Sequence, residues 1–177
     1  MKFSAQFIEG VALIEATPAG DNRGWFARHF CPEEFAAAGV NFAPCQISQS
    51  FNAQQGTLRG LHYQIPPHAE AKLVRCLRGA VWDVGVDLRL ESPTRHKWFG
   101  AELTEENKRA ILWPKGIAHG FITLAADTEL LYITDYPWTR EAEGGVRWDD
   151  PALGIEWPLT PSVLSDRDQS HSLINDG

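Results

Sequence analysis

The sequence predicts an all-β domain, a jelly-roll barrel with one or two short helices, and three observations carry that expectation. Eight short stretches rich in apolar and β-branched residues follow one another along the 177 residues, Gly and Pro punctuate them throughout, and helical periodicity is scarce. No repeat, charge block or low-complexity linker divides the chain, so residues 1–177 are expected to form one domain around one core.

The elements follow in order. VALIEA (residues 11–16) and RGWFARHF (23–30) are the first expected strands. CPEEFAAAG (31–39) reads as a short helix, with Pro32 in its first turn, acidic residues near its positive end and Gly39 as the stop. TLRGLHYQ (57–64) and KLVRCLRG (72–79) are strands. AVWDVGVDLR (80–89) alternates most clearly: Trp82, Val84, Val86 and Leu88 share one face, and Asp83 and Asp87 take the other. KWFGAEL (97–103) is another strand, and TEENKRA (104–110) is expected to add a turn of helix before Trp113. HGFITLA (119–125) and TELLYITDY (128–136) read as two arms of a hairpin turning at AADT (125–128). In a curled sheet, the inward positions of those arms would hold His119 and Tyr132 in one cavity.

Bulk composition excludes several functions. A formal charge of −7 and a pI near 5.3 argue against binding to nucleic-acid phosphates, so an anionic ligand would need a local basic pocket. No stretch approaches a membrane span, and Glu9 and Glu15 interrupt the apolar region that a signal peptide would need. Cys31, Cys45 and Cys76 are odd in number and match no CxxC spacing, which predicts neither disulfides nor a zinc site and fits a cytoplasmic protein. No glycine-rich dinucleotide loop is present, and no cofactor is expected.

The stretch GTLRGLHYQIPPHAEAKLVRCLRG (56–79) resembles the first cupin motif, and PKGIAHGF (114–121) resembles the second. His62 stands at the first metal-ligand position, Gln64 at the second, Lys72 where the metal-binding Glu would be, and His119 at the last. The gap between Gln64 and Lys72 is longer than the usual cupin one. A divalent cation prefers imidazoles and carboxylates, and a lysine ammonium in the same space repels it, so no metal is expected.

DNRGWF, GTLRGLHYQ, KLVRCLRG, SPT, PKGIAHGF, GGVRWDDPALGIEWP and SDRD occur in the order and at the spacing of the dTDP-4-dehydrorhamnose 3,5-epimerases, a metal-free cupin family that the chain resembles from about Gly20 onward. The resemblance implies a cupin-type barrel and epimerisation at C3 and C5, or at C3 alone, of a nucleoside-diphosphate 4-keto-6-deoxysugar. It implies that His62 is the base, oriented by Asp168, and that Tyr132 is the acid on the opposite face of the sugar ring. Phosphate or sugar contacts are implied at Arg23, Arg59, His119 and Arg167, and further substrate contacts at Gln46, Ser48, Trp138 and Glu143. A homodimer formed through exchanged strands is the implied assembly.

These residue types suit the chemistry. The hydrogens on C3 and C5 lie α to the C4 ketone, so removing either gives an enolate. A histidine with an ordinary pKa of about 6.5 can act as the base near neutral pH, and a buried Asp on its far nitrogen fixes the tautomer. An ammonium such as Lys72 aimed at the C4 oxygen would favour the transition state over the ground state. A tyrosine hydroxyl can return a proton from the other side.

Some alternatives stay open in the sequence. Asp166 rivals Asp168 as the partner of His62, and Tyr136 rivals Tyr132, although ungapped counting from Tyr132 to Gly145, Val146, Arg147 and Trp148 reproduces the family spacing. Arg28, Ser48, Trp138 and Arg167 stand where relatives often carry Glu, Asn, Tyr and Lys, so the nucleobase stays open. Strict alternation puts Arg59 and His62 on opposite faces, unless Gly60 hosts a bulge. His29, His68, His96 and His171 lack comparable context and are expected to be exposed. Competing functions are a sugar ketoisomerase on the same scaffold, a metal-dependent cupin and a non-catalytic sugar-binding cupin.

Overall fold

In the computed structural model, which describes residues 1–174, the chain builds two antiparallel sheets that face each other across the core. The first elements are β1 (Lys2–Ala5), β2 (Ala12–Glu15), β3 (Ala19–Asp21), β4 (Gly24–Phe26), α1 (Pro32–Ala37) and β5 (Gln46–Asn52). The barrel continues through β6 (Leu58–Gln64), β7 (Lys72–Arg78), β8 (Ala80–Asp87), β9 (Trp98–Thr104) and β10 (Arg109–Trp113). It closes with β11 (Ile117–Thr123), β12 (Thr128–Thr134), β13 (Glu143–Gly145) and α2 (Asp166–Ser170). One sheet runs β1-β2-β10-β7-β12-β5 and the other β13-β6-β11-β8-β9. Val74, Ile111, Trp113 and Leu130 from the first meet Val81, Leu103 and Phe121 from the second in one apolar cluster. The jelly-roll expectation holds. No helix among the described residues is long and apolar enough to cross a membrane.

Helix α1 forms where Pro32 and the acidic first turn predict it, and it anchors a satellite core: Phe35 is fully buried against Phe3, Phe30 and Phe42. Three local expectations fail. Residues 105–107 form a turn rather than helix, because Thr104 Oγ1, at the end of β9, accepts the Glu106 and Asn107 amides and Asn107 Oδ1 accepts those of Thr104 and Arg109. RGWFARHF keeps only Gly24–Phe26 as strand, in a β3–β4 ribbon that pairs with neither large sheet and is exposed throughout.

The third failure concerns topology. β11 and β12 are not a hairpin: β11 pairs with β6 and β8, which occupy both its edges, so β12 crosses to the other sheet and pairs with β5 and β7. His119 and Tyr132 still meet, edge to face at 6.4 Å between ring centres, because the sheets carrying them face each other.

On β8 both faces are buried, and Asp83 and Asp87 are 0% exposed. Asp87 accepts from Arg89 Nε at 2.9 Å, Arg89 Nη2 at 2.8 Å, Thr94 Oγ1 at 2.7 Å and Ser92 Oγ, so the SPT motif clamps this carboxylate. Burial alone would push its pKa up, but these hydrogen bonds hold it well below the usual carboxylate range. With the folded pKa depressed, the stabilisation is fully present above about pH 4 and fades as pH falls through the folded value. Asp87→Ala is expected to cost about 3 kcal/mol, or roughly 6–12 °C in Tm at neutral pH. Thermal unfolding checks this, and an unchanged Tm would contradict the clamp.

Candidate active site

The site is built around an irregularity in β6. Opposite β6, His119 faces His62 and Phe121 faces Arg59, so two steps along β11 match three along β6. Gly60 makes the extra step possible: its φ is +127°, and a Cβ there would come within 2.6 Å of Gly120 Cα. The bulge re-aims one side chain, and Arg59 and His62 line the same cavity.

That cavity, of about 450 Å³, opens between the two sheets. His62, Gln64, His119 and Phe121 reach it from β6 and β11. Ser48, Ser50, Lys72 and Tyr132 reach it from β5, β7 and β12. Trp138 sits beside it, about half exposed.

His62 Nε2 lies 2.7 Å from Asp168 Oδ1. Asp168 is buried in the first turn of α2, whose N-cap Ser165 Oγ accepts the Asp168 amide at 3.1 Å, while Gly60 N–H donates to Oδ2 at 3.3 Å. Burial alone would raise the carboxyl, but the hydrogen bond and charge of His62, with the Gly60 and Ser165 bonds, hold it below the ordinary range. An ionised Asp168 fixes Nε2–H as donor and leaves Nδ1 with the free lone pair. Asp166, the rival, is exposed.

Tyr132 Oη lies 3.0 Å from Ser50 Oγ. Burial pushes its phenol well above the usual value and the Ser50 bond only partly offsets this, so the hydroxyl stays protonated. Tyr136 also lines the cavity, where its ring packs on His68 at 5.5 Å.

The positions where a cupin would hold a metal are already spoken for. Lys72 Nζ pairs with the buried carboxylate of Glu70 at 2.8 Å. Gln64 Nε2 donates to Glu70 and to His68 O, and its Oε1 accepts the Thr139 N–H. His119 Nε2 is 2.8 Å from Asp83 Oδ2, and Asp83 Oδ1 accepts the Trp113 indole N–H at 2.7 Å. An ammonium and a saturated amide beside two imidazoles do not fit a divalent cation.

Other candidates form a rim. Arg59 Nε donates to Asn52 Oδ1 at 2.8 Å, which holds the guanidinium at the cavity. Gln46 Oε1 accepts the Trp138 amide at 3.2 Å, and its Nε2 is 3.3 Å from Ser48 Oγ. Glu143 Oε2 accepts from the Trp138 indole at 3.2 Å and from Arg167 Nη1 at 2.9 Å, joining β13 to α2. Arg167 lines an adjoining cleft with Arg59, His62 and Asp168.

Arg23 is not brought to this cavity. It sits on the β3–β4 ribbon, 84% exposed and paired with Asp21, because that ribbon pairs with neither barrel sheet. Arg28 likewise binds Glu34 at 2.9 Å, beside the N-terminal amine.

Glu70, Asp83 and Ser50 are partners that sequence reasoning missed. Only Asp83 carried a signal, as one of two carboxylates in a largely apolar strand. The four remaining histidines are partly buried rather than exposed. His171 departs furthest: its ring packs on His62 at 5.7 Å, and its Nε2 is 3.7 Å from Asp168 Oδ1. Burial and the neighbouring His62 push its pKa down. The three cysteines are free.

The profile of a family described as dTDP-4-dehydrorhamnose 3,5-epimerase matches residues 5–176. A protein of that description from Sinorhizobium fredii is 46% identical over 171 residues, covering 96% of this chain and 88% of that one. The crystal structure of the Bacillus anthracis dTDP-4-dehydrorhamnose 3,5-epimerase, with TDP and PPi bound, superposes with a TM-score of 0.95 at 39% identity, covering 98% of this chain and 99% of that one. A Legionella pneumophila dTDP-6-deoxy-D-glucose-3,5-epimerase, solved in complex with dTDP-4-keto-L-rhamnose, gives a TM-score of 0.91 at 38% identity, covering 97% and 92%.

Proposed function

Since the chain belongs to the dTDP-4-dehydrorhamnose 3,5-epimerase family of isomerases, we propose that residues 1–177 act as one domain that epimerises a dTDP-linked 4-keto-6-deoxyhexose at C3 and C5. The observation that carries this reading is the His62–Asp168 pair, at 2.7 Å, opening into a cavity whose facing sheet supplies Tyr132. His62 Nδ1 removes the proton α to the ketone, and the C–H electron pair moves into an enolate. Lys72, steadied by Glu70, faces the developing charge on the C4 oxygen. Tyr132 Oη–H then protonates the carbon from the other side, inverting it, and exchange with water resets the base and the acid. Arg59, Arg167 and His119 hold phosphate or sugar oxygens, Trp138 stacks on the base, and Gln46, Ser48 and Glu143 shape the nucleotide end.

A protonatable group on the wall opposite the base favours inversion over moving the ketone along one face. The test is incubation with dTDP-4-keto-6-deoxyglucose in deuterated water, reading C3 and C5 by NMR. Deuterium at both carbons is expected; none at either, across several nucleotide forms, would sink the reading. Because every step uses side chains of this chain, treatment with EDTA is expected to leave the exchange rate within about twofold of the untreated rate. A loss restored by added metal would revive the metal-dependent alternative.

A homodimer completes the proposal. β5 is an edge strand carrying Ile47 at 68% and Phe51 at 53% exposure, the kind of apolar edge that proteins cover. Trp25 and Phe26, on the exposed β3–β4 ribbon, offer further apolar surface of the kind that a partner would cover. The three free thiols fit a reducing cytoplasm.

A further inference from the structure

We propose that His62, Asp168 and His171 form a binding site for a divalent transition-metal ion, best matched to Zn2+, and that ion binding there silences the enzyme by capturing its base. The inhibitory half rests on the epimerase reading, whereas the binding half does not. One ligand atom from each residue lies within 4.8 Å of the other two. Asp168 Oδ1 is 2.7 Å from His62 Nε2 and 3.7 Å from His171 Nε2. In a tetrahedral zinc site with bonds of about 2.0–2.1 Å, ligand atoms sit roughly 3.3 Å apart. Both separations lie within about 0.6 Å of that value, and the two imidazole ligand atoms, within 4.8 Å of each other, close the remaining gap by ring rotation. Two imidazoles and a carboxylate are the donors that zinc takes when a fourth position stays open to solvent or ligand.

The surroundings hold the three ligands in place. Asp168 Oδ2 is fixed by the Gly60 N–H, the kind of outer hydrogen bond that orients a metal ligand. His171 lies in a slot that Gly145 leaves open, since a Cβ at Gly145 would overlap the imidazole. The chain beyond it is pinned by Arg147 N–H to Ser172 O and by Ile174 N–H to Asp150 Oδ2. Among the described residues, the buried His171 Nε2 makes no hydrogen bond, an uncommon state for a buried polar atom and one that coordination would relieve. Arg167, the cation on the same helix, is paired with Glu143. The site shares His62 with the cupin centre but takes its other two ligands from the α2 segment, whereas that centre is completed by Gln64, Lys72 and His119 inside the barrel.

Coordination and catalysis are mutually exclusive at His62. A metal on Nε2 displaces the proton that Asp168 holds there, and a neutral ring then carries its proton on Nδ1, the atom needed as base.

The test uses chelator-treated protein titrated with Co2+ by visible absorption and with Zn2+ by calorimetry, without substrate. Wild type is expected to bind one ion per chain, and His171→Asn to bind at least tenfold more weakly. His171→Phe, which keeps a ring against His62, should match His171→Asn if the loss is one of ligation. Equal affinity in all three proteins, or no binding, overturns the site. Zn2+ at about ten times the wild-type Kd is expected to slow wild-type C3 and C5 exchange roughly tenfold, reversibly with EDTA, and His171→Asn by no more than about twofold at the same concentration. Binding without slowed exchange overturns the inhibition. Binding as expected in a protein that exchanges neither hydrogen even when metal-free refutes the epimerase reading and leaves the site standing.

Discussion

Replacing His62 with Ala is expected to lower deuterium incorporation at C3 and C5 by a factor on the order of 10²–10⁴, the usual contribution of a positioned general base. The same loss is expected at both carbons, since the proposed mechanism uses one imidazole for both. Asp168→Asn should lose nearly as much, although it leaves the His62 base in place. An asparagine nitrogen facing Nε2 donates rather than accepts, which favours the tautomer whose proton sits on Nδ1. Asp168 is buried and also accepts from Gly60, a bond that the asparagine oxygen can keep but without the carboxylate's charge, so the β6 bulge is expected to be weakened as well. Folding is therefore checked beside the rate, by Tm and by retained dTDP binding. A folded His62→Ala protein that exchanges as fast as the parent would remove His62 from the mechanism.

Tyr132→Phe is expected to separate exchange from inversion. His62 remains able to remove a proton and return a deuteron to the same face, so label should still enter within about tenfold of the parental rate. Inverted product should fall by 10²–10⁴ because no acid serves the other face. NMR reads both at once, as deuterium content and as ring coupling constants. Burial keeps the Tyr132 phenol protonated beyond the usual tyrosine range of about pH 10, so this group imposes no alkaline limb on the rate below that pH. Tyr136→Phe is expected to behave like the parent in both readouts, since Tyr136 packs on His68. Loss of inversion in Tyr136→Phe and not in Tyr132→Phe would exchange the two roles.

Much of the barrel was legible because strand signals are local. β2, β6–β9 and the short helix α1 lie where alternation, β-branched runs and Pro32 predict them. Sheet partnership was less legible. The run from His119 to Tyr136 reads as a hairpin because two strands and a turn are all that neighbouring residues report, whereas β8 and β6 had already claimed both edges of β11. The turn at Thr104 went unread for a similar reason: side-chain hydroxyl and amide groups captured backbone N–H groups that a helical propensity assigns elsewhere.

The candidate site divides in the same way. The sequence by itself determined the chemical types, a histidine and a lysine at positions where the motifs resemble a cupin's metal ligands and, through the family resemblance, a tyrosine five strands after that lysine. It also marked Gly60 as the place for a bulge, since alternation alone would have parted Arg59 from His62. Only the tertiary structure chose Asp168 over Asp166, by burying one and exposing the other on the same helical turn. Only the fold brought Asp83 to His119 and His171 into the slot at Gly145, and buried the Glu70 carboxylate that lies beside Lys72 in the chain. Each of these depends on which side chains lose water together, and burial is set by the packing of distant segments rather than by any residue's neighbours in the chain.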